Sequence, residues 1–290
     1  MGPGGSRRLI SSHSDRSNTI VLYVVRCLVN QLSSFYQSPL RLYDMNFGEV
    51  SRHLHRCPSL IVPIGSMEPI GLYAVTGILS RCAEKFAEAL SSKLQVLMAP
   101  PLNYSCTTAF KSFEGCAGIK GRTFTNMVTE ICGDWIFQGF SRILLLSVSS
   151  ENDAELKCAI KWLNHSGEKV KFYSLQSDTR VAEHVSHYRV GKEFGRSEYL
   201  ILSLARFLFP QLLRDSNQSN ASVLPDIKEF RNWTKRGKDP QLFRKIFPHG
   251  STSELAGQQS KAAGRDLFEY IMKTLEDEYS PFLIIPQNAT

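Results

Sequence analysis

Short apolar runs alternate along the chain with longer segments of helical periodicity. The runs 59–64 and 142–148 are almost continuously apolar, which is typical of strands buried on both faces of a sheet. The segment 78–93 carries apolar residues three and four positions apart, the spacing of an amphipathic helix. Further strands are predicted at 94–99 and 169–175. The pattern therefore alternates strands with helices.

Other segments with helical periodicity are 123–137, 151–166 and 199–213. A final helix is predicted at 253–278, with Ser253 as its N-cap. The stretch 214–251 is polar and basic, and it is predicted to be a long connection. Strands separated by helices of this length form βαβ units with parallel strands. The sequence thus predicts an α/β fold, a three-layer α/β/α sandwich with a mostly parallel central sheet.

The N-terminal segment differs in composition from the rest. Residues 1–19 are rich in Gly, Ser and Arg, and an apolar stretch follows at 20–32. This composition is typical of a mitochondrial presequence, and an apolar run after a basic region also occurs in secretory signals. An additional helix packed on the domain explains it equally well. We expect an extension that is partly disordered or targeting at 1–41, an α/β domain at 42–280 and a C-terminal tail at 281–290.

The composition of the 290 residues narrows the class of protein. Hydrophobic residues make up 42% and charged residues 21%, so the chain has enough apolar material for a core. No apolar run reaches the length of a membrane span, and no membrane partner is expected. The net charge of +7 is a mild excess spread along the chain, so nucleic-acid binding is not favoured. The seven cysteines include no CxxC pair, which favours reduced thiols and no structural zinc.

Glycosylation motifs bear on the cellular compartment. Asn-x-Ser/Thr occurs at Asn103, Asn164, Asn217, Asn220, Asn232 and Asn288. Such motifs matter only in a secreted protein, and the N-terminus has no clean secretory signal. We interpret the motifs as coincidental and expect a cytoplasmic protein. Mitochondrial targeting remains an open alternative, and secretion is less favoured.

Two turns at strand ends carry the most informative residues. In open α/β sheets, binding sites lie at the carboxyl ends of the strands. Residues 62–71 read V-P-I-G-S-M-E-P-I-G, and residues 144–153 read L-L-L-S-V-S-S-E-N-D. These turns resemble the creatininase family, whose signatures at these places are V-P-x-G-S-x-E-x-H-G and N-G-H-x-x-N.

The resemblance is collinear over residues 42–280. Further similar segments are 42–49, 100–104, 113–115, 191–202 and 250–256. The family contains metal-dependent hydrolases of cyclic amides and deformylases, and its members form closed oligomers. The resemblance implies the creatininase-like fold. For active members it also implies two divalent metal ions held by imidazoles and carboxylates. These metal ions acidify a water molecule that bridges them.

Several metal-ligand positions of the family are changed in this chain. Ile70 and Ser149 stand where the signatures have histidine, and Gly77 stands where a shortened stretch would carry a metal-binding aspartate. The same shortened stretch has lost a further histidine, and Glu193 replaces another one in a later segment. The carboxylates that match family positions are Glu68, Glu151 and Glu198.

What remains is a set of carboxylates without imidazole. Such a set could at most form an oxygen-only site of the Mg²⁺ or Ca²⁺ kind, and solvated or ion-paired glutamates are the plainer interpretation. Glu68 and Glu193 are the candidate catalytic residues if the protein is active. We expect no cofactor or, in an active protein, a divalent metal such as Zn, Mn or Mg.

A basic segment at 228–249 interleaves Lys and Arg with aromatic residues. This composition can bind phosphate or nucleic acid, but a subunit-contact loop with a solvated basic rim has the same composition. The candidate residues of this basic loop are Lys235, Arg236, Lys238, Arg244 and Lys245. Separately, His184 and His187 would share one face of a helix, and we interpret them as surface histidines because no third ligand is nearby in sequence.

Three hypotheses of function follow. The leading one is a divergent creatininase-fold protein with a degraded metal site, which acts by binding a small molecule or by assembling with itself or a related subunit. Losing several ligands at once favours this hypothesis, because surrounding groups cannot replace absent ligands. An alternative is an amidohydrolase that cleaves the C–N bond of a cyclic amide or formamide at a rebuilt carboxylate site. A second alternative is phosphate or nucleic-acid binding through the basic loop.

Overall fold

The computed structural model describes residues 38–165, 167, 169–188, 196–214, 239–251 and 259–284. The chain divides at Pro39, and the unit Pro39–Thr290 contains nearly all of the described residues. Most of the predicted extension at 1–41 therefore lies outside the described residues, as do residues 285–290 of the predicted tail.

Five parallel strands form the central sheet of the described residues. In chain order they are β1 Leu40–Arg41, β2 Ser59–Ile64, β3 Leu97–Met98, β4 Arg142–Ser147 and β5 Val170–Ser174. Their order across the sheet is β1-β3-β2-β4-β5, and every neighbouring pair is parallel. The long central strands β2 and β4 are buried almost throughout, as their continuous apolar runs predict.

Helices cover both faces of this sheet. The described residues contain the helices α1 Phe47–Leu54, α2 Ile78–Leu94, α3 Gly121–Phe137, α4 Asp153–Leu163, α5 Thr179–Ser186, α6 Arg196–Leu208, α7 Pro240–Ile246 and α8 Lys261–Leu283. One apolar cluster joins the sheet to α2, α6 and α8, and a second joins it to α1, α3 and α4. The three-layer α/β/α sandwich is therefore confirmed. None of the described helices combines the length and the apolar character that crossing a membrane requires.

The last helix differs from its prediction at both ends. It begins at Lys261, because the Ser260 hydroxyl accepts a hydrogen bond from the Ala263 amide at 3.0 Å and so caps the first turn. The predicted N-cap, Ser253, lies outside the described residues. At its other end the helix continues to Leu283, beyond the predicted end at 278. The domain thus extends into the segment that was predicted to be a tail.

The side chain of Asn164 closes the turn that leads into the edge strand β5. Its Oδ1 accepts hydrogen bonds from the amides of Lys169 and Val170 at 3.0 and 2.8 Å, and its Nδ2 donates to the Val170 carbonyl at 2.8 Å. Farther along the same strand, the Tyr279 hydroxyl donates to the Phe172 carbonyl at 3.1 Å. Both the oxygen and the nitrogen of the Asn164 side-chain amide are therefore hydrogen-bonded to the backbone.

Replacing Asn164 with alanine is expected to lower the free energy of unfolding by about 2 kcal/mol or more, because three hydrogen bonds to the backbone are lost together. Urea unfolding followed by circular dichroism measures this difference. Asn103→Ala is the matched control, since Asn103 is exposed, and we expect it to change stability by less than about 0.5 kcal/mol. Equal stability of the two variants would contradict the assignment.

Candidate functional site

The carboxyl ends of β2 and β4 lie side by side in the centre of the sheet. Ile64 pairs with Ser147, and the Val148 amide donates to the Ile64 carbonyl at 3.2 Å. The turns that follow the two strands are therefore neighbours, as the sheet rule predicts. These turns carry Glu68 after β2 and Glu151 after β4.

The turn after β2 is held by close packing against the start of α2. A Cβ atom at Gly65 would lie 2.3 Å from the Cα atom of Ser80, so only glycine allows this approach. The Gly65 carbonyl accepts from the Ser105 hydroxyl at 2.7 Å, and the Ser66 carbonyl accepts from the Ser80 hydroxyl at 3.2 Å. This packing fixes the chain that leads to Glu68.

Glu68 is the most deeply buried carboxylate of the site, with 3% of its surface exposed. Its Oε2 atom makes no hydrogen bond of acceptable geometry to any described residue. Burial, and after it the charge of Glu151, raises the pKa of Glu68 to about 8, although hydrogen bonds from the Ser66 and Ser149 hydroxyls oppose the shift. At neutral pH Glu68 is therefore a neutral carboxylic acid, which can donate a hydrogen bond.

Glu198 approaches the same site from the first turn of α6. It is buried, and its Oε2 accepts a hydrogen bond from the Ser251 hydroxyl at 2.6 Å. Its charge also contributes to the raised pKa of Glu68. The structure thus brings together three of the four carboxylates considered above, Glu68, Glu151 and Glu198. The fourth, Glu193, lies outside the described residues.

Three positions at which the family has a histidine or aspartate ligand carry neither imidazole nor carboxylate in this chain. Ile70 is 5% exposed and packs in the same apolar cluster as Leu146 and Tyr199. Ser149 is buried, and its hydroxyl accepts from the Glu151 amide at 3.4 Å. Gly77 is the N-cap residue of α2 and has no side chain.

The donor set does not fit the family's metal centre. The family's metal ions are held by imidazoles together with carboxylates, whereas Ile70 and Ser149 stand at two of the histidine positions and supply no imidazole. Among the described residues, no group of three His, Cys, Asp or Glu side chains is arranged to hold a metal ion.

Asn152 was not expected from the sequence to belong to this site, whereas Cys106 and Cys116 were expected to be buried or inert thiols. Asn152 is buried; its Oδ1 accepts from the Cys106 amide at 3.1 Å and its Nδ2 donates to the Ser147 hydroxyl at 3.3 Å. Burial raises the pKa of the Cys106 thiol to about 12, with Glu155 and Glu151 adding to the effect. Burial and the charge of Glu68 raise the pKa of Cys116 to about 11. Both thiols are therefore protonated and poorly nucleophilic.

The described part of the basic loop contacts the segment around Phe113 and Glu114 through Arg244. Arg244 donates to Glu114 at 2.9 Å, and its guanidinium lies 4.6 Å from the centre of the Phe113 ring. Lys245 is exposed on the same short helix. The remaining candidates, Lys235, Arg236 and Lys238, lie outside the described residues.

The two histidines identified from their spacing are near the surface. His184 lies on α5 and His187 follows the end of that helix. The His184 Nε2 lies 2.6 Å from Asp266 Oδ2, and its ring stacks on Tyr270 with the ring centres 4.1 Å apart. His184 thus helps to join α5 to α8.

The solved structures that resemble this fold include several creatininases. A crystal structure of creatinine amidohydrolase is 16% identical with a TM-score of 0.64, and the alignment covers 86% of this chain and 99% of that chain. A manganese form of creatininase is 16% identical with a TM-score of 0.60, over 83% of this chain and 99% of that chain. A mutant creatininase of zinc–zinc type is 18% identical with a TM-score of 0.60, over 82% of this chain and 98% of that chain. No curated protein matches the sequence significantly.

The sequence itself supports the same assignment. The family model described as creatinine amidohydrolase matches residues 43–278. This range agrees with the collinear resemblance over 42–280 and includes the turns that carry Glu68 and Glu151. The chain therefore belongs to the creatininase family.

Proposed function

We propose that this chain is a non-catalytic member of the creatininase family that acts by binding. The observation that carries this proposal is the position of Ile70, where the family signature has a metal-binding histidine. Ile70 is not a vacant ligand position, because its side chain is part of the apolar core beside α6. An aliphatic side chain in this place removes a ligand and excludes water from the space around it.

The neighbouring groups support the same proposal. Glu68 is neutral at pH 7, so binding a cation would first require its ionisation against burial and the charge of Glu151. Ser149 supplies a hydroxyl, a weak ligand compared with the imidazole of the family signature. The site offers hydroxyls and carboxyl groups but no imidazole, which suits a polar organic ligand that donates hydrogen bonds better than the divalent metals of the family.

The experiment that tests the proposal is metal binding by the purified full chain. Elemental analysis, followed by calorimetric titration with zinc and manganese after chelation, is expected to show substoichiometric metal and no tight site. Hydrolysis of creatinine and of formamides is expected to equal the uncatalysed background in the same metals. Stoichiometric tight binding of zinc or manganese would overturn the proposal.

Assembly is the second part of the proposal. Members of the resembled family form closed oligomers, and we propose that this chain forms a homo-oligomer or joins a related subunit in the cytoplasm. Light scattering on the purified full chain measures its mass. A mass of several chains is expected for the homo-oligomer, and a monomer would leave the related subunit as the only assembly consistent with the proposal.

A second candidate function rests on Glu68 alone. A buried carboxylic acid with its pKa near 8 can protonate a leaving group, so the site has a general acid that requires no metal. This candidate predicts C–N bond hydrolysis in the presence of a chelator. Such activity should disappear in Glu68→Gln, whose side chain has the same shape and no proton to transfer. Activity that persists in Glu68→Gln would exclude the candidate.

A further inference from the structure

The helical layer of α1, α3 and α4 exposes large apolar side chains, and the layer on the other face of the sheet does not. Phe47 on α1, Phe137 on α3 and Trp162 on α4 are 92%, 93% and 72% exposed. The large apolar side chains that the structure describes on α2, α6 and α8 are all buried or half-buried. An exposed aromatic ring on each helix of one layer is typical of an interaction surface, because interfaces are enriched in aromatic residues.

Trp162 lies on the side of α4 that faces α3. A Cβ atom at Gly121, the first residue of α3, would collide with the Glu155 carboxylate, so Glu155 marks this side of α4. Trp162 follows Glu155 by seven residues, about two helical turns, and therefore lies on the same side. The two helices run in the same direction, because each leads back to the start of the next parallel strand. Trp162 thus lies at the outer border between two parallel helices.

The exposed charges beside this ring have opposite sign on the two helices. Lys157 and Lys161 are the exposed charged residues of α4. In the second half of α3 the exposed charged residues are Glu130 and Asp134, and Arg122 lies apart in the first turn. The outer surface of α4 is therefore basic, and the outer surface of α3 beyond its first turn is acidic.

Glu130 and Lys161 lie at similar heights along the two helices. Counted from the close approach of Gly121 and Glu155, Glu130 is nine residues along α3 and Lys161 is six residues along α4. The difference of three residues corresponds to about 4.5 Å along the helix axis, less than one turn. A charged residue of each sign thus flanks Trp162.

We propose that this face binds a second copy of the chain through a two-fold contact, in which α3 of each copy packs on α4 of the other. The inference rests on the homo-oligomer proposed above and names the surface that forms it. The site of contact, here called the α3/α4 face, consists of the outer sides of these two helices with Trp162 near its centre.

Charge selects this arrangement from two. In a two-fold contact the same surface meets itself, and the axis lies in the plane of contact. An axis perpendicular to the helices would place α3 on α3 and α4 on α4, so that like charges meet. An axis parallel to the helices places α3 on α4, so that Glu130 of one copy faces Lys161 of the other, twice in the dimer. Complementary charge favours the second arrangement, which also brings the Trp162 rings of both copies together near the axis.

Sedimentation velocity of the full chain over a range of concentrations tests the proposal. A two-fold contact joins copies in pairs, so the native chain is expected to contain an even number of copies. Trp162→Ser is expected to raise the dissociation constant of the contact by about a hundredfold or more, because one substitution removes the ring from both sides. Trp162 is exposed in the single chain, so circular dichroism should show an unchanged fold.

An exchange of charges tests the pairing of α3 with α4. Lys161→Glu and Glu130→Lys are each expected to weaken the contact by about tenfold, since like charges then meet at two places. The two substitutions together should restore the dissociation constant to within about threefold of the native value. Lys273→Glu is the control, because Lys273 is exposed on α8 in the other layer, and it should leave the dissociation constant unchanged.

The outcomes separate this inference from the proposed assembly. A monomeric native chain would overturn both. An oligomer whose dissociation is unchanged in Trp162→Ser and in Lys161→Glu would overturn the α3/α4 face alone, since assembly would then use another surface. A charge exchange that dissociates as readily as the single variants would also overturn it, because α3 and α4 would then not face each other.

Discussion

Replacing Gly264 with alanine is expected to destabilise the protein by at least about 3 kcal/mol, at the upper end of the cost of overpacking. Gly264 lies in the first turn of α8, where this helix crosses α6. A Cβ atom at this position would lie 1.9 Å from the Ser203 carbonyl oxygen and 2.8 Å from the Cβ of Phe207. The nearest obstacle is backbone, which cannot rotate away as a side chain can. The two helices would have to move apart, and the apolar cluster that they share would lose contacts.

Gly133→Ala is the matched control for this prediction. Gly133 lies inside α3, and a Cβ atom there would meet nothing within 4 Å. The substitution is expected to stabilise the protein by about 0.5–1 kcal/mol, because alanine loses less conformational entropy in a helix than glycine does. Thermal and urea unfolding of both variants measure the difference. If Gly264→Ala proved as stable as the native chain, α6 and α8 could not cross as closely as described.

The stability of the native protein is expected to fall as the pH rises toward 8. The pKa of Glu68 is raised from its ordinary value of 4.5 to about 8 in the folded chain. Below the ordinary value, Glu68 is protonated in both the folded and unfolded states. Between the two values only the unfolded chain releases the proton, so the folded state loses stability by roughly 1.4 kcal/mol per pH unit. Above about pH 8 both states are ionised and the loss ends.

Glu68→Gln should remove this contribution, because the amide cannot titrate. Its free energy of unfolding is expected to exceed that of the native chain increasingly from about pH 5 to about pH 8. Urea unfolding at several pH values measures both slopes. Glu151→Gln provides a second check, since removing the Glu151 charge should lower the pKa of Glu68 and move the upper end of the decline to lower pH. Parallel slopes for the native chain and Glu68→Gln would show that Glu68 is ionised in the folded state.

The main strands could be predicted from the sequence because burial on both faces produces continuous apolar runs. The strand predicted at 59–64 is observed as Ser59–Ile64. The strand predicted at 94–99 is shorter, Leu97–Met98, because α2 continues to Leu94 and ends at Gln95 in the left-handed conformation with φ of 54°. The start of α8 was harder to predict, because serine is a favourable N-cap residue wherever it stands. The sequence analysis predicted Ser253, and the Ser260 hydroxyl caps the observed helix.

The site was predictable where its residues follow strands and unpredictable where distant segments meet. Glu68 and Glu151 follow neighbouring strands, so the sheet rule brings them together. Ser251 lies 53 residues from Glu198 in sequence, and no local pattern indicates their hydrogen bond. The loss of a ligand at Ile70 was visible in the sequence, but its burial in an apolar cluster with residues of β4 and α6 was not.

The hydrogen bonds of Asn164 and Tyr279 have a consequence for how copies of this domain can associate. An edge strand with free backbone groups can accept a strand from another chain, which continues the sheet across the interface. On β5, Val170 has both of its backbone groups bonded to Asn164, and the Phe172 carbonyl is bonded to Tyr279. A foreign strand would have to displace these side chains before it could pair along the edge. Any assembly of this domain should therefore use the helical faces and leave this edge of the sheet as a boundary.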